Sequence, residues 1–204
     1  MTFIPRPAPL YTFLALCQRE SLPKDVLDCG AGGTNPPLGL FCEAGYRAVG
    51  VEIDPLRAQQ ARDTARQRGY DLEIHTADMR CLPFDSQSFS YVYSYNSVFH
   101  LSKADIGIAV NEMRRVLRPG GLCYVNLLLI EDCGFGEGTQ LEKGEYLQPE
   151  GQSRVLHSYF EDKEGDAYFT GTQILIKEKR LRWQLHTDGQ VYRLAFKDYM
   201  TRIS

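Results

Sequence analysis

Three carboxylates stand behind three apolar runs: Asp28 after Val26-Leu27, Glu52 within Val51-Glu52-Ile53-Asp54, and Asp78 after Leu72-Glu73-Ile74-His75-Thr76. The first opens Asp28-Cys29-Gly30-Ala31-Gly32-Gly33, a turn with three glycines in four residues. A phosphate-binding turn uses glycine to let a pyrophosphate approach, and an acid at its strand end repels that anion. The turn therefore suits a ligand with a positive charge, with Asp28, Gly30, Ala31 and Gly32 nearest to it. Glu52 follows Asp28 by 24 residues, and a carboxylate at a second strand end accepts from both hydroxyls of a ribose, with Ile53 beside it. Asp78 and Met79 suit an adenine ring, the carboxylate accepting from the amino group while the thioether packs on the face. Taken singly, the glycine turn reads equally well as structure. The ordered set of three acids marks a nucleoside site.

On these residues the chain resembles the class I S-adenosylmethionine-dependent methyltransferases, in particular the small-molecule branch of the ubiquinone and menaquinone biosynthesis type. The likeness spans roughly residues 24 to 130. It takes in Leu82-Pro83-Phe84, Ser88-Phe89-Ser90-Tyr91-Val92 and the more specific run Glu112-Met113-Arg114-Arg115-Val116-Leu117-Arg118-Pro119-Gly120-Gly121. It departs at Thr34-Asn35-Pro36-Pro37, where most members continue with glycine and small residues. The resemblance implies an α/β, Rossmann-like sheet of seven strands, mostly parallel, with a C-terminal antiparallel hairpin and helices on both faces. It also implies S-adenosylmethionine as cofactor, whose ammonium, sulfonium and ribose match the three acids, and in-line methyl transfer to a small molecule. A nicotinamide-dependent oxidoreductase would share the fold but wants G-x-G-x-x-G, and Asn35-Pro36-Pro37 fills the third-glycine region. A noncatalytic module that binds the adenosyl ligand stays open as a second reading, because methyl transfer needs no obligatory side chain.

The acceptor side of such a site is drawn from residues beyond the fourth strand, since open α/β sheets bind ligands past the carboxyl ends of their strands. His100 follows Tyr93-Ser94-Tyr95-Asn96-Ser97-Val98-Phe99 and is either a general base or a loop hydrogen-bonder. Asn96 and Ser97 either bond cofactor and acceptor or cap the next helix. Tyr91, Tyr93 and Tyr95 alternate and so share a face that packs a helix, leaving Tyr95 to meet the cofactor and Phe99 the acceptor. Tyr11 and His157, the latter with Tyr159 and Phe160, either close over the acceptor or pack. His75 and His186 fall in apparent strands and read as structural. No His, Cys, Asp or Glu group has metal-ligand spacing, so no metal is expected.

The elements that must hold these residues follow from periodicity. Apolar runs at 25–29, 47–53, 71–76, 90–96 and 122–130 alternate with helical patterns at 37–44, 55–68 and 103–117, the βαβα order of a parallel sheet. Asp54-Pro55 caps and starts the second helix, and Ile106, Val110, Met113 and Leu117 mark the buried face of the third. Tyr11 to Arg19 reads as an extra helix. Residues 131–152 carry five glycines and little periodicity, and read as a mobile loop over the acceptor. A short helical patch at 160–168 precedes a strand over 172–185, a hairpin signal at Asp188-Gly189, and a return strand over 191–196. The expected division is one domain: a lid helix over 1–23, a cofactor-binding core over 24–130, a loop or cap over 131–159, and a C-terminal helix and hairpin over 160–204.

Composition narrows the classes further. With 204 residues and 43% apolar content the chain is long enough for one well-buried core. The net charge of −3 comes from interspersed acids and bases, without the basic footprint of a nucleic-acid binder. The expected partner is a small-molecule methyl acceptor, with no nucleic acid and no membrane; oligomeric state is not encoded. Met1–Leu10 has three prolines and one basic residue, unlike a signal peptide, and no run approaches a bilayer span, so a cytoplasmic location is expected. The six cysteines lack any C-x-x-C pair and are expected to be reduced and mostly buried.

Overall fold

The computed structural model describes residues 8–185 and 189–204; His186 and Asp188, singled out above, lie outside the described residues. The chain runs α1 (Ala8–Cys17), β1 (Asp25–Cys29), α2 (Gly39–Glu43), β2 (Arg47–Glu52), α3 (Pro55–Arg68), β3 (Leu72–Thr76) and β4 (Phe89–Ser94). A single 3-10 turn, Val98–His100, leads into α4 (Lys103–Val116) and β5 (Leu117–Leu129). Then come β6 (Thr139–Glu142), β7 (Glu145–Glu150), β8 (Ser153–Phe160), a 3-10 segment Glu164–Phe169, β9 (Gln173–Leu185) and β10 (Val191–Arg202).

Strands β3, β2, β1, β4 and β5 lie side by side in parallel. β10 then pairs antiparallel with β5, and β9 antiparallel with β10. These seven strands are the Rossmann-like methyltransferase sheet with its terminal hairpin. Every residue of β1 and β4 is buried, as expected of strands covered by helices on both faces. One face packs α4 through Ile106, Val110 and Met113 onto Val49, Val92 and Val125. The other packs α1 through Leu10 and Phe13 onto Tyr91, Tyr93 and Tyr124, so the alternating tyrosines do seat a helix. The Tyr91 hydroxyl donates to the Cys17 carbonyl at the end of α1 (3.0 Å). At the start of α3, Asp54 accepts from the Leu56 amide at 2.8 Å, with Pro55 at the first helical position.

The segment expected as a loop over 131–152 is different. Residues 139–142 and 145–150 are strands that form an antiparallel meander with β8. Weak alternation hid them, because β6 is exposed along its whole length and so carries no apolar face. The turn itself is legible afterwards: Lys143-Gly144 joins the strands with Gly144 at φ +78°, a conformation glycine adopts without penalty. The expected helix at 160–168 is likewise shifted, since 153–160 is strand and only Glu164–Phe169 is helical, as a 3-10 segment.

This meander is placed by β5. One edge of β5 is taken by β10 through Leu128, and β4 leaves the other edge after Val125. β8 pairs in parallel with Leu128 and Leu129, and therefore continues the edge that β4 vacates. The three added strands consequently sit just beyond the carboxyl end of β4, beside residues 95–101. Among the described residues no helix is long and apolar enough to cross a membrane.

Candidate functional site

A cavity of about 280 Å³ opens at the carboxyl ends of the parallel strands, with Gly30 in its floor and Glu52, Asp78 and Asn96 in its walls. Gly30 has φ +106°, and a Cβ built on it would lie 1.9 Å from Ser97 Oγ. Only glycine lets β1 turn this close to the end of β4. Gly32 serves the next strand in the same way: its Cβ would fall 2.1 Å from Glu52 Oε2. Glu52 is buried, and its Oε1 accepts from the Asp54 amide at 3.0 Å, fixing the carboxylate at the top of β2. Ala31 does not reach the cavity; it is buried beneath, among Leu38 and Ile74.

Asp28 lies behind the floor and is fully enclosed. Its Oδ2 accepts from the Tyr93 hydroxyl at 2.8 Å. Burial pushes its carboxyl up to about 7, against the Tyr93 hydrogen bond and with a further push from Glu52. Asp78 lines the cavity with Met79 and the exposed Ile53. The Arg80 guanidinium beside Asp78 donates at 2.6 Å and holds that carboxyl below the usual carboxylate range. Arg80 in turn reaches Asp105 at 3.1 Å, so the loop after β3 is tied to α4.

Beyond β4, Asn96 takes φ +53°. Its amide donates to Asn126 Oδ1 at 2.8 Å, and its own Oδ1 accepts from Asn126 Nδ2 at 2.6 Å. Ser97 lines the cavity without capping a helix; the cap of α4 is Ser102, which accepts from the Asp105 amide at 3.1 Å. His100 lines the far end with Leu101, and Glu150 and Val155 of the meander close that end. His157 is buried and does not line the cavity, but its ring meets that of His100 edge-on with centroids 4.6 Å apart.

Besides Asp28, Ala31, Gly32 and His157, which stand behind or beside the lining, three more expected site residues are placed elsewhere. Tyr95 packs toward Tyr124 on the α1 side of the sheet, the face that alternation gives it together with Tyr91 and Tyr93. Phe99 is buried among Leu128, Tyr146, Tyr159 and Phe196 under the meander. Tyr11 is 43% exposed on α1, and no residue of that helix lines the cavity. Sequence reasoning in turn missed Arg57, Asn126, Glu150 and Val155. Asn126 had a signal, a lone polar residue inside the apolar run Val125 to Leu129, which must be partnered when buried. Glu150 and Val155 had none while their strands read as loop.

The lining carries four carboxylates, Glu52, Asp54, Asp78 and Glu150, against one guanidinium, Arg57. Such a wall favours a cation. Neither Cys29 nor Cys133 lines the cavity; burial raises the Cys29 thiol well above its ordinary range, and partial desolvation raises that of the exposed Cys133. Among the described residues no group of three or more His, Cys, Asp or Glu converges on a metal position.

Residues 27–125 match the family model described as a methyltransferase domain. That stretch belongs to the methyltransferase domain family. Methyltransferase GfsG of Streptomyces halstedii is 33% identical over 98 residues, which is 47% of this chain and 34% of the relative. The ubiquinone biosynthesis O-methyltransferase of Bartonella tribocorum is 28% identical over 107 residues, 50% of this chain and 40% of the relative. The chain thus spans well under two thirds of the length of these curated relatives. The solved S-adenosylmethionine-dependent methyltransferase from Methanosarcina mazei superposes with a TM-score of 0.72 at 18% identity, covering 93% of this chain and 96% of that one. The fold is the class I S-adenosylmethionine-dependent methyltransferase fold, and the cavity lies beyond the carboxyl ends of its parallel strands, the edge at which open α/β sheets bind ligands.

Proposed function

We propose that this methyltransferase domain transfers a methyl group from S-adenosylmethionine to a small-molecule acceptor. The observation that carries the reading is the cavity floor: the bare backbone of Gly30 lies against Ser97 and that of Gly32 against Glu52, so a side chain on either glycine would displace the residue that lines the cavity there. The residues present fit the cofactor. Glu52 accepts from the two ribose hydroxyls, Asp78 from the adenine amino group, and Met79 and Ile53 cover the ring faces. Asp28, behind Gly30, supplies negative charge for the ammonium, and Asn96 offers its amide group near the same end. The bound cofactor supplies a methyl carbon already activated by a sulfonium, and the electron pair of the broken carbon–sulfur bond stays on sulfur.

The chain's own tasks are then to orient and to exclude water. Leu101 and Val155 form an apolar wall at the end where His100 lies, which suits an acceptor with an apolar body and leaves His100 as the group able to hold a proton there. Holding two reactants in line is worth a large share of such a rate. The reduced thiols suit a cytoplasmic setting. The test is calorimetry of the protein with S-adenosylhomocysteine and with NAD. We expect the first to bind and the second not to; binding of the dinucleotide alone overturns the proposal.

A further inference from the structure

The added meander brings a second histidine and a carboxylate to the first. His100 Nδ1 lies 3.3 Å from the Leu156 carbonyl oxygen. A carbonyl only accepts, so Nδ1 carries the ring proton and Nε2 keeps its lone pair. Among the described residues Nε2 has no hydrogen-bond partner. His157 stands edge-on to this ring, and its own Nε2 is 3.2 Å from Glu150 Oε1 while its Nδ1 is 3.3 Å from the Val155 carbonyl. Both neighbours are acceptors, so each nitrogen of the His157 ring is turned toward one and the ring is held in place from both sides. Phe99 closes the side of the pair, with ring centroids 4.7 Å from His100 and 6.4 Å from His157.

We propose that His157 and Glu150 are positioning residues that hold His100 neutral with Nε2 open to the cavity, and that this base selects a neutral hydroxyl as the methyl acceptor. The inference rests on the methyltransferase reading above. The groups that bear on His100 are His157 from β8, Glu150 from β7 and Arg57 from α3. Burial first, and His157 next, lower its imidazole to about 4. A ring this reluctant to protonate does not strip a resting alcohol. It takes the proton only as the oxygen yields electron density to the methyl carbon: one carbon–oxygen bond forms, one oxygen–hydrogen bond breaks, and Nε2 carries the proton until it leaves for solvent. An aromatic thiol reaches the site largely as thiolate and needs no such partner, and an alkylamine arrives already charged.

The test is long-range proton–nitrogen NMR of the histidine rings in the full chain saturated with S-adenosylhomocysteine. In the wild type His100 should show the Nδ1–H tautomer and stay neutral down to pH 5. In His157→Gln its titration midpoint should move up, because a like charge has been removed; a merely structural His157 would leave it in place. Release of S-adenosylhomocysteine is then followed with phenol and thiophenol as probes, the thiophenol rate being expected to change little in His100→Gln. Phenol should turn over, and His100→Gln should slow it by roughly 10²- to 10⁴-fold with the calorimetric affinity for S-adenosylhomocysteine kept within a few-fold. An Nε2–H tautomer, an unmoved midpoint, or no turnover of phenol overturns the inference. Failure of S-adenosylhomocysteine to bind the wild type overturns the cofactor reading instead, so the two failures are distinct.

Discussion

The Glu52 carboxylate rests in the space that Gly32 leaves, for a Cβ on that glycine would lie 2.1 Å from Oε2 and 2.6 Å from Cδ. The end of β2 and the turn after β1 are therefore one unit, and a change in either moves both. Glu52→Ala should weaken S-adenosylhomocysteine at least tenfold, since each charge-assisted bond to a ribose hydroxyl contributes about 1.5–3 kcal/mol. Gly32→Ala should do the same by displacing the carboxylate. Calorimetry on both variants checks this; wild-type affinity in either one removes Glu52 from the ribose.

Asp28 gives a pH dependence with a definite sign. Its carboxyl is raised to about 7 in the folded chain, by burial above all, whereas unfolded it titrates near 3.9. The folded state holds this proton more tightly, so the contribution to stability is complete below about pH 4 and is lost as the pH rises through 7. Asp28→Asn keeps an acceptor for the Tyr93 hydroxyl and carries no charge. Its melting temperature should match the wild type below about pH 4 and exceed it by a margin that grows by roughly 5–10 °C between pH 5 and pH 8, since about 1.4 kcal/mol is lost per pH unit up to 7 and each kcal/mol is worth roughly 2–4 °C in a domain of this size. Its affinity for S-adenosylhomocysteine should fall, and wild-type affinity should rise from pH 6 to pH 8 as Asp28 ionises. Parallel melting curves across that range would show that Asp28 does not titrate there.

How much could be read beforehand depended on whether a residue acts along its own strand or across the fold. Asp28, Glu52 and Asp78 stand at strand ends behind apolar runs, so pattern alone put them on one edge of the sheet. The seven-strand frame followed for the same reason. Glu150 reaches the cavity, and His157 the ring of His100, only because β8 takes over the β5 edge after β4 stops, a pairing between residues some 30 positions apart with no local signature. Tyr95 failed in the opposite way. Its alternation with Tyr91 and Tyr93, read correctly, already places it on the α1 face, and the cavity takes up the chain only from the left-handed turn at Asn96 onward.

The meander should exchange slowly. β7 and β8 are paired from Glu145↔Ser158 to Glu150↔Ser153, the Lys103 amide donates to Glu145 Oε1 at 2.6 Å, and the Tyr159 hydroxyl donates to Gln148 Oε1 at 3.0 Å. Amide hydrogen exchange in the free protein should show protection over 145–150 and 153–160 near that of β5, with the exposed edge 139–142 faster. Gly144→Val should abolish the difference, because a side chain at φ +78° would meet the Tyr159 carbonyl oxygen at 2.6 Å, a strain of about 1–3 kcal/mol. Rapid exchange across all of 139–150 would restore the mobile-loop reading.

The last prediction concerns the pair that shapes the cavity wall, Asn96 and Asn126. Asn126 is wholly buried and donates from Nδ2 to Asn96 Oδ1, while Asn96 is exposed and held at φ +53°. Removing the exposed partner is therefore worse than removing both. Asn96→Gly tolerates the backbone conformation but leaves Nδ2 buried without its acceptor, which costs about 1–3 kcal/mol. Adding Asn126→Leu removes the stranded group and should return most of that stability. Cofactor affinity should not return with it, because the turn after β4 is then held by neither amide. Denaturant unfolding and S-adenosylhomocysteine calorimetry on the two single variants and the double variant separate the effects. A double variant whose losses are the sum of the singles would mean that the two amides do not act together, and that the wall is set instead by the packing of Ser97 against Gly30.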